Sequence, residues 1–324
     1  FPITEEVANQ VRRKLEERRG EDRPFYLHLN FGAPHPAYSV EEPYFSMYAR
    51  NQLNSYPHDL PENAPLYLRV MREVRAGKEG SDEAFNEIQA VYYGMVTKTD
   101  MLLGRVLQTI EEQGLFDNSI VIFTTDHGDF AGQYGQVEKW DTALLDCIMR
   151  SPLILCAPGL PKGHQVTSLT EHVDIPSTVL ELMGTAPDWG VHGESLLGAV
   201  RGERAKEAVF ADGGHEEEMW SRFSFRQSSP DRPLNAKQVT YRDHPETMAR
   251  AKMVRTHKWK LVVRLVGGNE LYDMEDDPQE MNNLYPGVEG DAKLKGVVYD
   301  LQLKLVEWGL RTDTDRPFEV KVGA

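Results

Sequence analysis

The sequence predicts an α/β protein: a doubly wound, mainly parallel sheet with helices on both faces, followed by a smaller C-terminal α+β subdomain on an antiparallel sheet. Three observations carry this reading. Apolar strand runs alternate with amphipathic helical runs up to about Arg201. The strand runs are continuously apolar, as in strands covered on both faces. Beyond Arg201 the apolar runs shorten and follow one another directly. The division places residues 1–205 in the larger α/β unit and residues 206–324 in the smaller one.

The elements follow in order. Glu5 to Arg19 carries Val7, Val11 and Leu15 near helical spacing, which predicts an amphipathic helix broken at Pro24. Phe25 to Phe31 reads as a buried strand running into Pro34-His35-Pro36, where two prolines restrict the loop. Val40 to Gly80 is proline-rich and without a period, and reads as a long irregular excursion that walls a site. Ala84 to Gln113 predicts a long helix with Phe85, Ile88, Val91, Met95, Leu102, Val106 and Ile110 on one face, stopped by Gly114. Ser119 to Thr125 is a β-branched strand, Pro152 to Cys156 a second one, and Ile175 to Met183 a helix stopped by Gly184. In the C-terminal part, Ala208–Phe210, Lys252–Thr256, Trp259–Leu265 and Glu270–Asp273 are short strands. A last helix, Leu294 to Gly309, turns Leu301, Leu305 and Trp308 inward.

Composition narrows the function. The 324 residues hold 51 acidic and 36 basic side chains, a net charge of −15. Such a chain repels phosphate backbones, which argues against nucleic acid as a partner. Any anion site must then be local, built from a few cations or a metal. No run approaches the ~20 consecutive apolar residues of a membrane span. Cys147 and Cys156 lie in apolar surroundings and read as buried free thiols. Oligomeric state has no signal in the sequence.

Three places can carry chemistry. Asp126-His127-Gly128 follows an apolar strand at the edge where α/β sheets bind ligands. Asp and His side by side offer an oxygen and a nitrogen to one metal; the plain alternative is a turn. His35, between two prolines, suits a proton donor or an anion ligand, or is a turn histidine. Lys139, thirteen residues after Asp126, offers a compact cation for a tetrahedral anion, or is a solvated surface lysine. His215 with Glu216, Glu217 and Glu218 reads as a solvated loop.

The arrangement of these pieces resembles the sulfatase family of the alkaline-phosphatase superfamily. Pro24 to Pro36 is similar to the family's strand ending in Pro-His-x-Pro. Tyr92 through Asp100, Gly104, Leu107 and Gly114 to Asp126-His127-Gly128 resembles its long helix, strand and metal-ligand turn, and Gly135 to Lys139 the segment after it. His172-Val-Asp174-Ile-Pro-Ser-Thr178, Leu182-Met-Gly184, Gly193 to Leu197 and Glu270 to Leu284 follow in family order, so the likeness spans roughly residues 23 to 285.

The resemblance implies an alkaline-phosphatase-like fold and hydrolysis of a sulfate ester, on a small molecule or a glycan. It implies that Asp126 and His127 ligate a divalent metal, calcium first and manganese or magnesium as alternatives. It implies that Lys139 and His35 contact the sulfate, His35 protonating the leaving oxygen. It further implies a formylglycine nucleophile from a Cys/Ser-x-Pro-x-Arg motif ahead of the Pro-His-x-Pro strand, and no such motif precedes that strand here. Cys147-Ile-Met-Arg150 lacks the proline, places its arginine one residue early and follows the metal turn instead of preceding it. The expectation is a fragment whose nucleophile lies outside the chain and which alone is inactive, from a protein that the family would place in the periplasm or outside the cell. The alternatives are a phosphonate or phosphate ester hydrolase of the same superfamily, and a non-catalytic binding protein derived from a sulfatase.

Overall fold

The computed structural model describes residues 5–21, 23–53, 56–76, 80–186, 190–203, 205–215 and 235–313. Helix α1 (Glu5–Glu17) lies against helix α3 (Asp82–Glu112), with Ala8, Val11 and Leu15 clustered on Val106. The side chain of Val7 lies outside the described residues. Helix α3 is 31 residues long, about 46 Å at ~1.5 Å per residue. Ser81 caps it by accepting a hydrogen bond from the Ala84 N–H, and Asp82 and Glu83 in its first turn complement the helix dipole. Gly114 ends it at φ +67°, the left-handed conformation that glycine adopts without strain.

Strand β1 (Val121–Thr124) pairs with β2 (Leu153–Cys156), Val121 opposite Cys156 and Thr124 opposite Leu153. The pairing is antiparallel, unlike the parallel arrangement expected locally, and Phe25 to Phe31 runs without joining a ladder among the described residues. Apolar runs of this kind give no pairing direction by themselves, because that depends on which neighbour supplies the hydrogen bonds. The two-stranded sheet is also incompletely covered, and Ile154 is 56% exposed. Along β2 half-buried and exposed residues alternate, so Cys156 falls on the exposed side with Ile154 instead of in the core. The helix Asp174–Leu182 follows as expected, and Gly184 beyond it has φ +68°.

The excursion from Val40 to Gly80 is not only a surface loop. It contains helix α2 (Leu66–Met71), continued by a π-helical turn, Arg72–Ala76. Tyr67, Leu68 and Met71 enter the main core with Phe130, Tyr134, Trp140, Leu145 and Ile148 from the middle of the chain. Met248, Tyr272 and Met274 join them from the C-terminal part. Six residues are too few to display a helical period, so this helix had no readable pattern.

The C-terminal sheet has four strands in sequence order: β3 (Val209–Gly213), β4 (Ala251–Arg255), β5 (Trp259–Arg264) and β6 (Glu270–Asp273), all antiparallel. Its last helix, Ala292–Thr312, buries Val298, Leu301 and Leu305 against Val254, Leu261 and Leu271, and stacks Trp308 on Phe210 at 5.3 Å. Ionic staples join this sheet to the rest. Lys260, with no exposed side-chain surface, lies 2.8 Å from Asp146 and 2.7 Å from Glu280. Lys206, next to β3, meets Glu171 and Asp174 at 2.5 and 2.7 Å, and Glu171 also accepts from the Phe210 N–H. The His172 to Thr178 motif thus serves as a structural knot: Asp174 also accepts from the backbone N–H groups of Glu171 and Glu194. The alternation of helices and strands with a separate antiparallel sheet makes the protein α/β with an antiparallel C-terminal part.

Candidate active site

Two residue pairs from the sequence reading come together here. Beyond the carboxyl end of β1 the chain turns through Asp126-His127-Gly128. The turn is pinned by the Gly128 N–H donating to the Ile148 carbonyl at 2.7 Å. Gly128 is required by contact: a Cβ there would lie 1.9 Å from the Cys147 carbonyl oxygen. Asp126 projects outward, its side chain 86% exposed, and its Oδ2 lies 3.4 Å from His127 Nε2.

The histidine is oriented from behind. His127 Nδ1 lies 2.7 Å from the Gly128 carbonyl oxygen, so Nδ1 donates there and Nε2 is the ring nitrogen turned toward Asp126. A lone pair facing a carboxylate oxygen is repulsive unless a proton or a cation lies between them. An oxygen and a nitrogen donor 3.4 Å apart are close enough to reach one divalent cation. Among the described residues no cluster of three or more His, Cys, Asp or Glu surrounds one point.

The second pair is His35 with Lys139, distant in sequence. Lys139 Nζ lies 2.5 Å from His35 Nε2, and His35 Nδ1 lies 2.6 Å from the Pro36 carbonyl oxygen. Nδ1 thus donates to Pro36, and Nε2 accepts from the ammonium.

Tyr38 brings the two segments together, and the sequence reading passed over it. Its hydroxyl donates to Asp129 Oδ1 at 2.7 Å and accepts from the Glu138 N–H at 2.7 Å. Asp129 Oδ1 also accepts from the Ala131 N–H at 2.8 Å. One phenol therefore ties the His35 loop to the loop carrying Lys139. Burial pushes the Asp129 carboxyl above its usual range. Arg75, from the π-helical turn, ion-pairs with Glu138 and donates to the Lys139 carbonyl oxygen at 3.3 Å. The one available signal was spacing: Tyr38 stands three residues after His35, and Asp129 two after His127.

His35, Asp126 and His127 line one broad basin of ≈ 3330 Å³, together with Tyr26, Ile122, Ile154, His172 and Met183. That is several times the ~300–1,000 Å³ of a small-ligand pocket, so the basin is an open face, not a finished pocket. His172 Nε2 lies 3.2 Å from Thr124 Oγ1 on the basin wall. Cys147 also lines it, but burial pushes its thiol well above the ordinary value, which disfavours the thiolate a nucleophile needs. His215 lies 3.3 Å from Asp141, while Glu216, Glu217 and Glu218 lie outside the described residues.

Comparison with known proteins gives this arrangement a context. The chain is 27% identical over 319 residues to the multifunctional alkaline phosphatase superfamily protein PehA of Trinickia caryophylli, covering 92% of this chain and 58% of that protein. It is 28% identical over 318 residues to arylsulfatase K of Bos taurus, covering 91% of this chain and 54% of that protein. The phosphonate monoester hydrolase SpPMH from Silicibacter pomeroyi superposes with a TM-score of 0.76 at 22% identity, over 95% of this chain and 60% of that one. The chain thus spans little more than half the length of the proteins it matches. The last likeness establishes the alkaline-phosphatase-like fold. The sulfatase family profile matches residues 1–185, more than half of the chain, and on that match the chain belongs to the sulfatase family, within the alkaline-phosphatase superfamily.

Proposed function

We propose that this chain carries one side of a metal-assisted sulfate-ester hydrolase site, with Asp126 and His127 as two metal ligands and Lys139 and His35 at the ester. The observation that carries the proposal is the 2.5 Å contact between Lys139 and His35, made by residues 104 positions apart. A surface lysine and a turn histidine have no reason to meet; an anion-binding pair does. The family match supports a hydrolase of the sulfatase type. A formylglycine nucleophile lies, in this reading, outside the chain, in a segment that also covers part of the basin.

The chain's own residues then have distinct tasks. In hydrolysis the ester S–O bond breaks and the leaving oxygen gathers negative charge. The Lys139 ammonium offsets that charge, and the proton shared with His35 Nε2 is available to the oxygen. The Nδ1–H of His35, donated to Pro36, holds the ring with Nε2 toward Lys139. Asp126 and His127 would hold a divalent metal, calcium first by the family resemblance, which when bound would supply Lewis acidity to the ester. Tyr38 positions both loops and touches no reacting atom. The substrate is a small-molecule or glycan sulfate ester.

The likeness to a phosphonate monoester hydrolase at TM-score 0.76 favours a second reading, a phosphonate or phosphate ester hydrolase. Both readings are tested by assaying the full-length protein on aryl sulfate, aryl phosphate and phenyl phosphonate esters, with and without a calcium chelator. The expected result is fastest turnover of the sulfate, lost on chelation and restored by calcium. Faster turnover of the phosphonate selects the second reading. Turnover of none of the esters rejects both, and leaves a binding protein.

A further inference from the structure

The helix Ala236–Asp243 begins with a reciprocal cap: Asn235 accepts from the Gln238 N–H at 2.9 Å, and the Gln238 side chain accepts from the Asn235 N–H at 3.0 Å. The cap fixes Lys237 in the first turn, where a cation opposes the helix dipole. One turn on, Tyr241 stacks on Trp140 at 4.9 Å, and the Lys237 ammonium lies 5.9 Å from the Tyr241 ring. Trp140 follows Lys139 in sequence. The helix thereby carries a second ammonium to the neighbourhood of the first.

Among the described residues neither lysine has a carboxylate ion-pair partner, which sets the two apart from the other half-buried lysines there. The other half-buried or buried lysines among the described residues, Lys98, Lys206, Lys252, Lys258, Lys260 and Lys304, each form an ion pair with Asp or Glu. The chain has 51 acidic side chains to provide such partners. The nearby carboxylates are already engaged, Glu138 by Arg75 and Asp141 by His215. Burial and the charges of Lys139 and Arg75 lower the Lys237 ammonium below its usual value against the pull of Glu138 and Asp141. A half-buried cation placed beside another cation, against a helix dipole, costs stability unless an anion comes to it.

We propose that Lys237 binds a second anionic group of the substrate, outboard of the ester held at Lys139 and His35, so that the preferred substrate carries at least two negative charges. The inference rests on the ester-hydrolase reading and narrows its substrate class to polyanionic sulfate esters. Lys139 touches His35, which lines the basin, while Lys237 reaches the same neighbourhood through Tyr241 and Trp140; neither lysine itself lines the basin. The two ammonium groups therefore serve two groups on one substrate, the reacting sulfate and a flanking sulfate or carboxylate.

The test uses the full-length protein with a hexose 6-sulfate and the same hexose as its 2,6-disulfate, following sulfate release and, separately, binding by calorimetry. The wild-type protein is expected to favour the disulfate. Lys237→Gln is expected to shift the ratio of kcat/KM toward the monosulfate by about tenfold, through KM, and Lys237→Arg to recover most of it. Lys139→Ala is expected to abolish release from both. An equal effect of Lys237→Gln on the two esters overturns the proposal. If the wild type hydrolyses neither ester, the hydrolase reading fails, and binding still decides the role of Lys237. Tighter binding of the disulfate that Lys237→Gln removes supports it, and equal binding of the two sugars refutes it.

Discussion

In the four-stranded sheet Val254, Leu261, Val262 and Leu271 have no exposed surface, whereas along the basin Tyr26 is 87% exposed and Met183 66%. The two regions are similarly apolar in sequence. They differ in what covers them. The four-stranded sheet has a helix across it, with buried ion pairs along its other contacts. The β1–β2 pair has one flank open to the basin. Burial stabilises at roughly 25 cal/mol per Å² of apolar surface, so the closed region holds most of the fold's stability. His35, Asp126 and His127 all line the open one. Stability and chemistry are thus assigned to different faces, and substitutions should separate them.

The largest expected effect is on the closed side. Lys260→Ala leaves the carboxylates of Glu280 and Asp146 without their buried cation, and should cost about 3–5 kcal/mol in denaturant unfolding. A loss below about 1 kcal/mol would break the comparison, because the staple would then be dispensable.

Next in size is the reverse case on the open side. Asp126→Asn in the full-length protein should lower turnover about 10²–10³-fold, roughly 3–4 kcal/mol of barrier, with little change in Tm. Asp126 is an exposed side chain and contributes little to packing. Loss of folding without loss of turnover would reverse its assignment.

A pH titration sharpens the closed side further. Burial pushes the Glu280 carboxyl up to about 7, against 4.5 for the free group, although Lys260 pulls it down. Between those values the folded state holds a proton that the unfolded state has released. Stability contributed by this group is therefore present in acid and lost as pH rises through 7, about 3 kcal/mol in all. Glu280→Gln should flatten that slope in urea unfolding measured from pH 5 to 8; an unchanged slope assigns it to other groups.

The smallest effect compares matched apolar truncations. Leu261→Ala should cost about 2–5 kcal/mol, and Ile154→Ala in this chain only ~0.5 kcal/mol, since Ile154 is 56% exposed. Similar losses at both positions would mean that the basin face is covered in solution.

Several features were legible before any coordinates. The 3.6-residue period marked α3, a glycine at positive φ marked its end, and short apolar runs marked all four C-terminal strands. His35, Lys139, Asp126 and His127 were readable because their residue types and order match a family pattern. Tyr38 and Lys237 were not, because neither belongs to a motif. A tyrosine that bridges two loops looks like any half-buried tyrosine, and an unpaired lysine looks like a solvated one. Helix α2 was hidden by its length, and the exposure of Cys156 by the side of the strand on which it falls.

The sequence by itself determined the periodic elements, the acidic balance and which side chains stand as candidates for the site, because each is a local property of residue type, spacing and order. Only the tertiary structure decided which strand pairs with which, and that Lys139 meets His35 through a tyrosine held between two loops. It alone showed that Lys237 has no carboxylate ion-pair partner among the described residues, in a chain rich in acidic side chains. Those are contacts between residues far apart in sequence, and they depend on how the chain closes on itself, which no local pattern encodes.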